Sequence, residues 1–209
     1  MLKKGIFFSV FLWGAYSLWA DSKPVIVNTD IPSAFPTTYS GELTISDKPL
    51  QKKINYKKSS YQYGHFRITP LAEFKVAARV LSSQHYNRGL ESELSPVDLA
   101  LGWGPMSRPE IVDEFSIRQS NRFYFWRTEH FPIPRQDVIS NSANMHIIPA
   151  SPGIERTLKE VKKGQKVKFK GYLVRVDMDS GWHWVSSLTR NDSGNGACEV
   201  VLVDDLTIM

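Results

Sequence analysis

Cysteine is almost missing from this chain: Cys198 is the one thiol in 209 residues. An intramolecular disulfide is therefore excluded, and the fold has to rest on its apolar core. Histidine is sparse as well. His65, His85, His130, His146 and His183 include no pair at HExxH spacing, and a single cysteine cannot make a CxxC pair. No metal site is expected from such a set. Excess charge is small: 26 basic and 21 acidic residues leave +5, and less once Lys3 and Lys4 are removed. That balance argues against nucleic acid as a partner, because a nucleic-acid footprint is strongly basic and clustered. Phosphate loops, dinucleotide fingerprints and serine-hydrolase elbows are absent, and Ser186-Ser187 has no Gly-x-Ser-x-Gly frame. No cofactor is expected.

Long apolar runs are confined to the start. Met1-Leu2-Lys3-Lys4 is a short basic opening, Gly5 to Ala20 is apolar, and polar sequence begins at Asp21. This is the layout of a secretory signal, with cleavage expected after Ala20. A membrane span needs about 20 apolar residues. No second such run follows, so no transmembrane segment is expected in the mature chain. The protein is expected to be exported, periplasmic or secreted. Hydrophobic residues make up 42% of the chain, enough for a packed core. The layout expected is a signal peptide over 1–20, an extended arm over 21–49, and a single mainly β domain over 50–209.

Local patterns support that layout. Pro24, Pro32, Pro36 and Pro49 punctuate the arm, with one short strand expected at Glu42-Leu43-Thr44-Ile45. Phe74, Val76, Ala78 and Val80 alternate as a strand would. Ser95-Pro96-Val97-Asp98 reads as a helix start, with a capping serine and proline at the first helical position. Arg118 to Arg127 reads as one strand, with Arg122, Tyr124 and Trp126 on one face and Phe123 and Phe125 on the other. Asn141 to Asn144 is a polar turn feeding a short strand at Met145-His146-Ile147-Ile148. Ser151-Pro152 opens a short helix that Gly164 ends. From Lys166 to Val176 the apolar alternation changes phase at Gly171, the sign of a bulge or sharp bend. Two more strands follow, around Trp182–Leu188 and Glu199–Val203, joined by a polar turn.

The segment Val167-Lys168-Phe169-Lys170-Gly171-Tyr172-Leu173-Val174 resembles the bent first strand of an OB-fold. With LGWGPMS, NMHIIPAS, GYLV, GWHWVSSLTR and GNGACE, the chain also resembles an uncharacterised family of exported bacterial proteins, from which no functional residue carries over. The fold class expected is mainly β with a few short helices and a small barrel, OB-like in the C-terminal part, over 151–209. The resemblance implies oligosaccharide or single-stranded nucleic-acid binding, as OB-folds commonly show.

Two kinds of chemistry are open to such a chain. The leading expectation is a non-enzymatic binding or assembly protein of the bacterial envelope. A polymer or protein partner would lie along an aromatic and basic face made by Arg122, Tyr124, Trp126, Trp182, Trp184 and Arg190, because sugars and bases stack on such surfaces. The alternative is a hydrolase acting on envelope peptides or esters. It would have Cys198 as nucleophile, His146 as base, and Asn144 or Asp192 orienting the base. A buried structural role for Cys198 competes with it, since free cysteine behaves as a small hydrophobe. Arg190, Asp192 and Glu199 also cluster in sequence and form either a ligand site or a salt bridge fixing a turn.

Overall fold

The computed structural model describes residues 42–54, 60–189 and 197–209. The expected signal peptide, nearly all of the N-terminal arm, Arg190 and Asp192 lie outside these residues. The described chain is mainly β. Its strands are β1 (Leu50–Lys53), β2 (Tyr61–Tyr63), β3 (Phe66–His85), β4 (Val97–Gly102), β5 (Ser116–Ser120), β6 (Phe123–Arg127), β7 (Ser142–Pro149), β8 (Lys166–Asp177), β9 (His183–Val185) and β10 (Glu199–Ile208). Four short helices punctuate them: α1 (Leu90–Leu94), α2 (Pro109–Val112), α3 (Arg135–Ser140) and α4 (Pro152–Glu160). No helix among the described residues is long and apolar enough to cross a membrane.

Five strands close on themselves in the order β3-β4-β7-β10-β8, with β8 returning to pair with β3. The β7–β10 pair is parallel and the other four are antiparallel. The ring thus carries one parallel pair, and α4 lies in the chain between β7 and β8. The segment around Gly171 is the fourth ring strand, and the ring draws its first three from residues 66–149. Its longest member is β3, whose register shifts between Pro70 and Ala72 and again between Val80 and Ser82. Bulges of this kind bend a strand so that it can serve successive neighbours. Proline at the first removes a ladder donor where the ladder is already broken.

Alternation along each strand sorts its residues between two sides. Phe74, Val76, Leu99, Leu101, Met145, Ile147, Val167, Phe169, Val201 and Val203 belong to one buried cluster. Tyr172, Val174, Val176, Val200 and Leu202 belong to another, on the opposite side of their strands, with Phe66, Ile68 and Leu94. The change of phase at Gly171 is where β8 passes from feeding the first cluster to feeding both. A third cluster, of Leu81, Met106, Val112, Phe115 and Val138, lies beneath the separate β5–β6 hairpin.

Three local expectations are corrected. Glu42–Ile45 forms no strand: the Asp47 carboxylate accepts from both the backbone N–H and the hydroxyl of Thr44, closing a turn. Ser95-Pro96-Val97-Asp98 starts no helix, because Val97, Leu99 and Leu101 alternate into the core and hold the segment as β4. The helix of this region, α1, precedes it. Arg118–Arg127 is a hairpin rather than one strand. It turns at Asn121 and Arg122, both left-handed, with φ of 50° and 69°. That conformation suits the right-handed twist of a two-residue hairpin loop.

Gly171 carries a further constraint. A Cβ there would lie 1.9 Å from the backbone oxygen of Leu202 on β10. Both partners are backbone at the ring closure, so neither can yield cheaply. Gly171→Ala is expected to destabilise the protein by about 3 kcal/mol or more. Urea denaturation would check this, and an unchanged midpoint would show that the strands there can separate.

Candidate active site

Three neighbouring ring strands present one polar row on the side away from the first cluster. On β4, Val97 and Leu99 turn to that cluster and Asp98 to the other side. On β7, Met145 and Ile147 turn to the cluster, and Asn144 and His146 to the other side. The register sets Asp98 opposite His146, and His146 opposite Val200 of β10. Glu199 pairs with Met145, so Cys198 stands one rung earlier, beside Asn144. The pairing of the strands thus places a carboxylate, an imidazole and a thiol side by side.

Asp98 has no exposed surface; Oδ1 is hydrogen-bonded, and Oδ2 is in ion-pair contact without hydrogen-bond alignment. Oδ2 lies 2.9 Å from Nδ1 of His146. Oδ1 accepts from Nη1 of Arg122 at 2.7 Å and from the Ser95 hydroxyl at 3.3 Å. Nδ1 of His146 faces Asp98, and the Cys198 side chain is the other polar group acting on the imidazole. The Trp184 ring packs on the imidazole, with centroids 4.6 Å apart. His146 is 3% exposed, while Cys198 is half-buried rather than sealed.

Burial alone would push the His146 proton off. The hydrogen bonds to Asp98 and Cys198, with the negative charge of each, outweigh burial and lift the group to about 9. An imidazolium is thus favoured between the Asp98 carboxylate and the Cys198 side chain.

Arg122 ties this row to the hairpin tip. Its Nη1 also donates to the Ser95 carbonyl at 2.9 Å, and its guanidinium sits 3.9 Å from the centre of the Tyr86 ring. The Tyr86 hydroxyl accepts from the Arg122 backbone N–H at 3.1 Å. Asn144 Nδ2 donates to the Arg122 carbonyl at 2.9 Å, and the Cys198 sulfur lies 3.9 Å from that oxygen. A non-glycine residue held at φ 69° is strained. Here the strained residue is held by hydrogen bonds to Asp98 and Asn144 on the ring strands and to Ser95 and Tyr86 beside them.

Of the residues singled out in the sequence, Cys198, His146, Asn144, Arg122 and Trp184 meet at this point. Trp182 stands beside Trp184 and edge-on to Phe66, with centroids 5.9 Å apart, packed on the second cluster. Tyr124 and Trp126 face inward beneath the hairpin against the third cluster. Burial pushes the Tyr124 phenol up to about 12. The exposed aromatics of that hairpin are Phe123 and Phe125. Glu199 is buried at the start of β10. Asp98 was the member that sequence reasoning missed as a site residue. Its signal was a lone carboxylate inside the apolar alternation Val97-Asp98-Leu99-Ala100-Leu101.

A cleft of about 760 Å³ opens beside this row, lined by Tyr63, His65, His85, Tyr86, Glu93 and Lys159 among others. Cys198 and His146 do not line it; Tyr86 forms its wall toward Arg122. Among the described residues, no group of three His, Cys, Asp or Glu side chains is placed to hold a metal ion. Compared with protein-family models, curated proteins and solved structures, the chain matches none.

The raised His146 value has a consequence for stability. The bound proton stabilises the fold fully below the ordinary 6.5, and the contribution is lost as pH rises through about 9. Replacing Asp98 by asparagine removes the carboxylate and leaves burial dominant. His146 in Asp98→Asn is expected to titrate far below 9, as followed by NMR of the ring protons. A titration still near 9 would mean that Asp98 does not hold the imidazolium.

Proposed function

We propose that this protein is a cysteine-dependent hydrolase, exported from the cytoplasm, that cleaves peptide or ester bonds. The observation that supports the reading most is the Cys198–His146–Asp98 row across β10, β7 and β4. It brings a nucleophile on β10, a base on the neighbouring strand, and a carboxylate 2.9 Å from that base. The binding reading loses support from the placement of its aromatics, since Tyr124 and Trp126 are turned inward and do not form an open face with the tryptophan pair.

The chemistry follows the geometry. The Cys198 sulfur adds to the carbonyl carbon, forming a C–S bond as the carbonyl electrons move to oxygen. The tetrahedral adduct collapses, the bond to the leaving nitrogen or oxygen breaks, and the His146 imidazolium donates its proton to that atom. Water then attacks the thioester, with the now neutral His146 removing its proton. The acid product leaves, and the thiolate–imidazolium pair is restored. Asp98 stays a carboxylate throughout, holding the imidazole by Nδ1. OB-type rings commonly bind ligands on the face of their second and third strands, which here are β4 and β7.

Native protein mixed with p-nitrophenyl acetate is expected to release a burst of nitrophenolate equal to the enzyme present and to carry one acetyl group on Cys198. Cys198→Ala should show neither. Iodoacetamide should label Cys198 in the folded protein near neutral pH. Labelling only after unfolding, with no burst, would sink the proposal and return Cys198 to a packing role.

A further inference from the structure

We propose that Asn144 is the oxyanion donor for Cys198, so that the site's substrate is a carbonyl compound attacked by addition: an ester, a thioester or an amide. This rests on the reading of Cys198 as nucleophile and assigns the group that would stabilise its transition state.

The orientation of the Asn144 amide is fixed by its neighbours. Oδ1 accepts from Nε2 of Gln119 at 2.6 Å, and Nδ2 donates to the Arg122 carbonyl at 2.9 Å. A flipped amide would set two donors against each other at Gln119 and two acceptors against each other at Arg122. The network therefore settles which end is nitrogen. Gln119 is held in turn by a contact from its Nε2 to the Asp98 backbone oxygen at 3.3 Å. Nδ2 carries two protons. One goes to Arg122, and the other side of the nitrogen faces the Cys198 sulfur at 3.9 Å. Asn144 is 4% exposed, so this N–H sits in a dry setting on a rigid strand.

That distance suits an oxyanion better than a thiol. At 3.9 Å the nitrogen is a weak partner for sulfur itself. Once a carbonyl carbon is bonded to the sulfur, its oxygen lies roughly 2.7 Å from the sulfur, within reach of a donor that must come to about 2.7–3.1 Å of it. The donor stands beside the nucleophile on the next strand, with its direction set before substrate arrives. Such preorganisation is what makes a hydrogen bond stronger in the transition state than in the ground state. A purely structural role, bracing the hairpin tip through the Arg122 carbonyl, would leave the other N–H with only its long contact to the sulfur.

Two reagents separate these roles. Acetylation by p-nitrophenyl acetate passes through an oxyanion, whereas alkylation by iodoacetamide displaces iodide and forms none. Asn144→Ala is expected to slow acetylation of Cys198 by about 10²–10³-fold while leaving the alkylation rate nearly unchanged. Gln119→Met keeps Asn144 but frees its amide, and should give a smaller loss of the same selectivity; it carries the test should the alanine variant fail to fold. Equal losses with both reagents would make Asn144 a brace only and overturn the proposal. Unaltered acetylation in folded Asn144→Ala would overturn it alone, leaving Cys198 as nucleophile. Absence of acetylation in the unchanged protein would overturn both.

Discussion

The bond between His146 and Asp98 is the constraint on which the site depends. It joins two polar groups that are both removed from water, on adjacent strands of a closed ring. Neither could be left without the other, because an unpaired buried carboxylate is among the costliest features a fold can carry. The register of β4 with β7 satisfies them, and that register is fixed by the alternation that sends Val97, Leu99, Met145 and Ile147 the other way. A slip of one residue would turn Asp98 and His146 into the apolar cluster. Hydrophobic packing on one side of the sheet thus sets the chemistry on the other.

The hairpin β5–β6 completes what the ring begins. A carboxylate facing only an imidazole would still have an oxygen to satisfy, and Arg122 reaches in from the hairpin tip to do so. The cost is a left-handed backbone at a residue that is not glycine. The return is a guanidinium stacked on Tyr86, and a backbone that engages Tyr86 by its N–H and Asn144 by its carbonyl. The inner face of the same hairpin carries Tyr124 and Trp126 onto the third cluster, which anchors the tip without adding to the polar row. Site and scaffold are therefore one network of contacts.

Much of this was legible in the sequence, and the reasons for the rest are physical. The mainly β class and the phase change at Gly171 follow from periodicity and from one glycine, which the close approach of β10 explains; the ring itself takes three of its five strands from 66–149, outside the segment that resembled an OB-fold. Cys198, His146 and Asn144 could be grouped by residue type. Their juxtaposition could not be read, because it depends on a parallel pairing between segments far apart in the chain. Asp98 was hidden by a local signal that lost: Ser95-Pro96-Val97-Asp98 has the chemistry of a helix cap, but tertiary burial of the alternating apolar residues outweighed it. Arg122 was placed on a strand face because its left-handed turn lacks the usual glycine. The aromatic stripe was real as a pattern, yet alternation alone does not say which face is inward.

A buried charge network of this kind is poorly explained by stability. Removing Asp98, His146 and Arg122 from water costs each of them its hydration, and their mutual attraction repays that only when the geometry is close and every lone pair is used. Apolar side chains of similar volume, on a face already flanked by Val200, Ile148 and Val174, would hold the strands together at least as well. What apolar groups could not do is keep a proton on an imidazole beside a sulfur that remains open to reagents. Asp98 and His146 are sealed, while Arg122 and Cys198 are partly exposed. That gradient, from a sealed carboxylate through a nearly sealed imidazole to a half-open thiol, is the order of exposure the proposed nucleophilic chemistry would use.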